Sequence, residues 1–202
     1  MNADSNKQFF IFVGRSGSGK GTQADLLKKS LEIEGKGDVV HLTTGAGFRE
    51  FVTQDNYISS LSRALNDKGI LQPEFLAVWN WANIFIKTLK GGETIILDGA
   101  PRKVYEVQAL HSAINFLEYS KPTVINIDVS EGWARERLKG RGRDDDKEES
   151  DVTNRMNWFE TDVLPVLDTY IHDPRYSVIH VNGEQTIEEV HNELVEKIKT
   201  IQ

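Results

Sequence analysis

The sequence predicts a three-layer α/β fold: a five-stranded parallel sheet with helices on both faces. Three observations predict it. Short apolar runs alternate with longer stretches of helical period, the pattern of strands joined by right-handed helical crossovers. Residues 122–129 are nearly continuously apolar, which suits a parallel strand covered on both sides. A glycine-rich stretch, Gly14-Arg15-Ser16-Gly17-Ser18-Gly19-Lys20-Gly21-Thr22, joins the run Phe9-Phe10-Ile11-Phe12-Val13 to an amphipathic stretch. A chain of 202 residues is expected to form one domain, residues 1–202.

The elements follow in order. Residues 1–7 are polar and expected to fray. The first strand spans about residues 8–13. The helix after the glycines carries Ala24, Leu27 and Leu31 on one face and stops before Gly35 and Gly37. Val39-Val40-His41-Leu42 reads as a second strand leading into Thr43-Thr44-Gly45. The stretch after it shows no strand signal. Residues 57–68 read as a short helix with Ile58, Leu61 and Leu65 as its apolar stripe, stopped by Gly69. Pro73 suits the first position of a stronger helix. Its expected buried stripe is Phe75, Val78, Trp79, Ala82, Phe85, Ile86 and Leu89. Thr94-Ile95-Ile96-Leu97 is the third strand, ending in Asp98-Gly99. A helix with Val107, Leu110, Ile114 and Leu117 follows, then the fourth strand and a helix around residues 132–139. A charged segment at residues 141–151 leads to a long helix carrying Val152, Met156, Phe159, Val163, Val166 and Tyr170, in which Pro165 marks a kink. Residues 176–181 are the fifth strand. Thr186-Ile187-Glu188-Glu189 is a capping box that opens the last helix, with Val190, Leu194, Ile198 and Ile201 as its stripe.

Composition excludes some classes of function. The net charge is -7, which argues against a general nucleic-acid or membrane-surface binder. Any anion must be held by local positive features. The chain has no cysteine, hence no disulfide and no thiolate zinc site, a composition that fits the cytoplasm. No signal-like segment and no apolar run of ~18 residues is seen.

The glycine stretch reads as a phosphate cradle. Glycines let the backbone curl so that successive N–H groups face one anion. The following helix adds its positive end, and Lys20 adds a mobile point charge. The hydroxyl expected after the lysine comes one residue late, at Thr22, with Gly21 between. Ligands in parallel α/β folds sit beyond the carboxyl ends of the strands. The glycine loop, Thr43-Thr44-Gly45, Asp98-Gly99 and the segment after Val129 are all at such ends. Asp98 suits Mg²⁺ or its waters beside phosphates, or equally a turn carboxylate; next to the loop, the metal reading is favoured. Arg49, Arg102, Arg137, Arg141, Arg143 and Arg155 also fall near these ends. Guanidinium forks suit phosphate oxygens. Asp144-Asp145-Asp146 could pair with them. The histidines show no ligand or triad spacing.

These residues resemble the adenylate kinases among the nucleoside monophosphate kinases. Gly17-Ser18-Gly19-Lys20-Gly21-Thr22-Gln23 resembles their loop, including the Gly after the Lys. Thr43-Thr44-Gly45…Arg49 resembles their Ser-Thr-Gly-Asp-x-x-Arg, and Gly69-Ile70-Leu71-Gln72-Pro73 their Gly-x-Leu-Val-Pro. Leu97-Asp98-Gly99-Ala100-Pro101-Arg102 resembles Leu-Asp-Gly-Phe-Pro-Arg. Arg137-Leu138-Lys139-Gly140-Arg141 resembles Arg-Leu-x-x-Arg, and Gly142-Arg143-Asp144-Asp145-Asp146 resembles Gly-Arg-x-Asp-Asp, with Arg155 at a further expected arginine. The resemblance implies a P-loop nucleotide kinase fold with an inserted acceptor segment at about residues 45–72 and a very short lid at about 140–151. It implies reversible transfer from Mg-ATP to AMP, giving two ADP, in a cytoplasmic monomer without zinc. It assigns the ATP phosphates to Gly17, Ser18, Gly19, Lys20, Gly21 and Thr22. Arg137 and Arg141 go to the ATP adenine and phosphates, and the Gln185 backbone to the adenine. Arg143 and Arg155 bridge the transferred group and the acceptor phosphate, which Arg49 and Arg102 hold. Thr44, Gly45, the Ile70, Leu71 and Gln72 backbone, Gly99 and Gln108 read AMP. Asp98 reaches Mg²⁺ through water. The catalytic set is Lys20, Arg102, Arg141, Arg143 and Arg155.

Several residues depart from the family pattern. Ala46 stands where the family usually has Asp, and Ala100 replaces a common Phe. Gln108 lies six residues after Arg102, a spacing nearer pyrimidine-type relatives, while Glu106 holds the usual four-residue position. Thr44 leans toward AMP. The alternatives at this stage are a UMP/CMP or broad-specificity kinase and, more remotely, a nucleotide-binding module without transfer.

Overall fold

The computed structural model of the chain describes residues 7–142 and 148–201. These residues form strands β1 (Phe9–Val13), β2 (Val39–Thr43), β3 (Thr94–Asp98), β4 (Thr123–Asp128) and β5 (Ser177–Asn182). The helices are α1 (Lys20–Ile33), α2 (Thr44–Phe51), α3 (Tyr57–Asn66), α4 (Glu74–Thr88), α5 (Val104–Phe116), α6 (Glu131–Arg141), α7 (Glu149–Trp158), α8 (Leu164–Ile171) and α9 (Ile187–Ile201). The strands form one parallel sheet in the order β2-β3-β1-β4-β5. The strand order reverses at β1, which lies between β3 and β4, and the glycine loop leaves its end. That is the crevice where parallel α/β sheets bind ligands.

Alternation along β1 divides the core into two layers. Phe9, Ile11 and Val13 pack with Phe85, Leu110, Ile114, Val166 and Tyr170 on the face covered by α4, α5 and α8. Phe10 and Phe12 pack with Leu27, Leu31, Val190, Leu194 and Ile198 of α1 and α9 on the other. A smaller cluster of Val129, Ala134, Leu138, Val152 and Met156 joins α6 to α7. The capping box closes as expected: the Thr186 N–H donates to a Glu189 carboxylate oxygen at 2.9 Å, and the Glu189 N–H to Thr186 Oγ1 at 3.3 Å.

The expected elements differ from the structure in several places. α2 is a helix that sequence pattern did not show, because Gly45 and Gly47 oppose helix formation by about 1 kcal/mol each relative to Ala. Tertiary contacts form it. Asn80 of α4 donates to the Thr44 carbonyl at 2.9 Å, and a Cβ at Gly47 would lie 2.4 Å from Asn80 Oδ1, so glycine permits the close approach. The α4 stripe is rotated from expectation: Leu76, Asn80, Trp81 and Phe85 are buried, while Phe75, Trp79 and Ile86 are exposed. An apolar helix gives periodicity little to resolve. α3 is likewise inverted, burying Ser59 and Ser62 and exposing Ile58 and Leu61. Its serines are satisfied internally, Ser59 by the Asn56 cap and Ser62 by Gln72. The long helix around Pro165 is interrupted by a π turn at Phe159–Val163. Proline has no N–H for the carbonyl four residues back, so the ladder widens just before it. Pro73 sits at the N-cap of α4 and not at its first helical residue.

Candidate active site

The glycine loop is shaped by close approach on one side and by backbone angle on the other. A Cβ at Gly17 would lie 2.6 Å from the Ala134 carbonyl of α6, and its φ is 88°. Gly19, the N-cap of α1, has φ 91°, and a Cβ there would meet no atom within 4 Å. Lys20, the first residue of α1, reaches back across the loop: its Nζ donates to the Gly14 and Arg15 carbonyls at 2.8 and 2.7 Å. The ammonium thus lies over the curl of backbone amides where an anion is attracted.

A cavity of about 860 Å³ opens in front of this loop. Gly17, Gly19, Lys20, Gly21 and Thr22 line one part of it, together with Arg137. Thr44, Gly45, Arg49, Ile70, Leu71, Gln72, Gly99, Arg102 and Arg155 line another. Asp98 ends β3 in the wall between, buried, with Oδ2 3.4 Å from where a Cβ on Gly21 would stand. Side-chain bonds fix the second part. Thr44 Oγ1 donates to the Asp98 carbonyl at 3.3 Å. Gly99, at φ 89°, leaves room for that hydroxyl, which a Cβ would approach to 2.7 Å. Gln72 is locked by donating to the Ser62 carbonyl at 3.0 Å.

The arginines converge. Burial lowers the Arg102 pKa from its ordinary value; Glu106 and Asp98 oppose the shift, and the neighbouring charges of Arg155 and Arg49 add to it. A guanidinium stays charged through such a change. Arg155 is buried, Arg102 half-buried and Arg49 exposed; three cations lining one carboxylate-edged cavity make a site for a multiply charged anion.

Other expected residues fall elsewhere. Ser18 is buried behind the loop, outside the cavity lining. Gln108 is exposed on α5 and does not line the cavity, whereas Glu106 does. Two residues turn a helix by about 200°, so the two side chains cannot share a face. The Gln185 side chain is engaged with the Asn182 carbonyl at 2.9 Å and Glu193 at 2.7 Å, away from the cavity. Arg141 ends α6. Arg143 and the run Asp144-Asp145-Asp146 lie outside the described residues.

Sequence reasoning passed over several lining residues. His41 hydrogen-bonds Asp25 at 2.8 Å, and both line the cavity. Glu106 is 3 % exposed, and one of its oxygens accepts from the Arg102 and Lys103 N–H groups at 3.1 Å each. Burial raises its pKa, against those bonds and the nearby cations. Trp158 also lines the cavity. Only the four-residue spacing from Arg102 to Glu106 gave a sequence signal for any of these.

A glycine cradle at the switch point of a parallel sheet, facing an arginine-lined wall in the same cavity, defines a P-loop protein built for two phosphate-bearing ligands. The adenylate kinase family model matches residues 12–174. The chain is 31% identical to the adenylate kinase of Nautilia profundicola over 194 residues, 96% of this chain and 97% of that one. It is 33% identical to the adenylate kinase of Helicobacter pylori strain G27, covering 93% and 95%. It is 32% identical to adenylate kinase 1 of Nostoc sp., covering 91% and 95%. The chain belongs to the adenylate kinase family.

Proposed function

We propose that this protein transfers the γ-phosphoryl group of Mg-ATP to AMP, reversibly, giving two ADP. The observation that carries the reading is the shared cavity: Lys20 and the glycine loop on one side, Arg49, Arg102 and Arg155 together on the other. The names of the relatives favour AMP as acceptor over the pyrimidine and binding-only alternatives.

In this reading the loop amides of residues 17–22 and Lys20 hold the ATP phosphates, with Arg137 and Arg141 at the same nucleotide. Arg49 and Arg102 hold the AMP phosphate, while Arg143 and Arg155 span the two. Thr44, Gly45, Gly99 and the Ile70–Gln72 backbone contact AMP; Gln108 has no part, since its side chain is turned away. An oxygen of the AMP phosphate bonds to the γ-phosphorus as the bond to the ATP β-phosphate oxygen breaks. No general base is needed, because positioning and charge neutralisation carry this reaction.

The residues fit a metal that arrives with the nucleotide. Among the described residues no group of three or more ligating side chains gathers to hold an ion alone, while Asp98 offers one carboxylate beside the loop. Asp98 would hold a phosphate-bound Mg²⁺ through water, and the ion would supply charge neutralisation. Ala46 removes the family's second carboxylate, so Asp98 carries this task by itself. Zinc is not part of this reading, since the chain has no cysteine for a thiolate site. The acceptor segment at about residues 45–72 and the minimal lid at about 140–151 close over the substrates and exclude water. The enzyme acts as a cytoplasmic monomer in this reading, and among the described residues no helix is long and apolar enough to cross a membrane.

Turnover with Mg-ATP and each of AMP, CMP and UMP tests the proposal. AMP is expected to give the highest kcat/KM; faster use of either pyrimidine nucleotide would overturn it.

A further inference from the structure

Arg102 poses a positioning problem. Its neighbours of like charge, Arg49 and Arg155, repel it, and two carboxylates, Asp98 and Glu106, compete for it with any acceptor phosphate. Its Nε donates to the Gly99 carbonyl at 2.8 Å, which fixes one edge of the guanidinium. The other restraint is Trp158, the last residue of α7. The guanidinium carbon sits 5.2 Å from the centre of the indole. A cation over an aromatic face is held by the ring's negative quadrupole, more strongly where water is excluded.

Trp158 is itself tied down. Its indole N–H donates to the Gly69 carbonyl at 3.1 Å, across 89 positions of sequence. One turn earlier, Asn154 donates to the neighbouring Lys68 carbonyl at 2.8 Å. Gly69, at φ 61°, packs so closely on α7 that a Cβ would lie 2.6 Å from the Asp151 carbonyl. The turn gripped in this way runs directly into Ile70, Leu71 and Gln72, which line the cavity.

We propose that Trp158 is a positioning residue for the acceptor. It holds the Arg102 fork toward the acceptor phosphate and links it to the Gly69 turn, so that the phosphate-binding and base-contacting parts of the acceptor site move as one unit. This inference rests on the reading of Arg102 as an acceptor-phosphate group. Trp158 touches no reacting atom. Its effect is on geometry, where displacement by about 1 Å costs as much as 100-fold.

Steady-state kinetics of Trp158→Leu, Trp158→Phe, Arg102→Ala and the Arg102→Ala/Trp158→Leu double variant test it. The leucine variant is expected to raise the AMP KM roughly 10- to 30-fold, the scale of a desolvated cation–π contact. Its ATP KM should stay within about twofold. Trp158→Phe keeps a ring over the guanidinium but loses the N–H bond to Gly69, and should recover part of the loss. In the double variant, Trp158→Leu should add less to the Arg102→Ala loss toward AMP than it costs alone. Equal losses toward ATP and AMP, no loss in the leucine variant, or losses that multiply in the double variant would overturn the proposal. If Arg102→Ala leaves AMP use intact, the reading of Arg102 fails and takes the proposal with it, a result distinct from an impaired Arg102→Ala beside a normal Trp158→Leu. A second measurement reads the wild-type tryptophan in place. The Trp158 indole N–H resonance, assigned by its loss in Trp158→Phe, should shift on AMP addition to the wild-type protein and not to Arg102→Ala. An unshifted resonance would contradict the link.

Discussion

Gly17→Ala and Gly19→Ala make a matched pair, because the two glycines are required for different physical reasons. Both have left-handed φ, 88° and 91°, so alanine at either site costs about 1–2 kcal/mol in backbone strain. Only Gly17 is also crowded: its added Cβ would meet the Ala134 carbonyl at 2.6 Å and Leu138 Cγ at 3.2 Å. Relieving that clash means pushing α6 away from the loop, and overpacking of this kind costs about 1–3 kcal/mol more. Gly17→Ala should therefore lose about 2–5 kcal/mol and Gly19→Ala about 1–2 kcal/mol. Urea unfolding measures the difference, and Tm should fall by about 2–4 °C per kcal/mol in a chain of this size. Equal destabilisation of the two variants would refute the claim that α6 sets the curvature of the loop.

Three further outcomes are expected. Lys20→Met should lower turnover by about 100- to 1000-fold, as loss of a charge-stabilising donor does. Arg135→Ala should stay within about twofold, since its partners Glu131 and Glu149 form an exposed surface pair. Glu106→Gln should stabilise the protein at neutral pH while its amide oxygen keeps the cap at Arg102 and Lys103. The sign follows from burial: the Glu106 pKa is raised above its ordinary 4.5 in the folded chain, so its proton favours the folded state at low pH and that contribution is lost as pH rises through the folded pKa. The advantage of Glu106→Gln in urea unfolding should therefore vanish below about pH 4.5 and grow above it; a pH-independent difference would contradict this origin.

Much of the architecture was legible because local signals and tertiary structure agree. The run at β4 is apolar since both sheet faces are covered, and Thr186 with Glu189 marks a helix start that needs no tertiary support. The glycine loop was legible for the same reason, since its strand and helix flank it in sequence. What stayed hidden depends on partners distant in the chain. α2 contains two glycines and forms only because Asn80 and α4 receive it. The faces of α3 and α4 could not be read because serines are buried against the Asn56 cap and Gln72 while aromatics are left exposed. Gln108 carries the residue type expected of a base reader, yet helical rotation turns it from the cavity and brings in Glu106. Trp158 is outside the apolar stripe expected of its helix, and its bond to Gly69 exists only in the folded chain.

Following labelled phosphate most directly tests the claim that one cavity passes a phosphoryl group between two nucleotides. ATP labelled at the γ-phosphorus, mixed with AMP, Mg²⁺ and the enzyme, should place the label at the β-position of ADP, with an equal amount of unlabelled ADP formed. Label appearing as inorganic phosphate at the rate of ATP loss, or retained in ATP although both nucleotides bind, would contradict it.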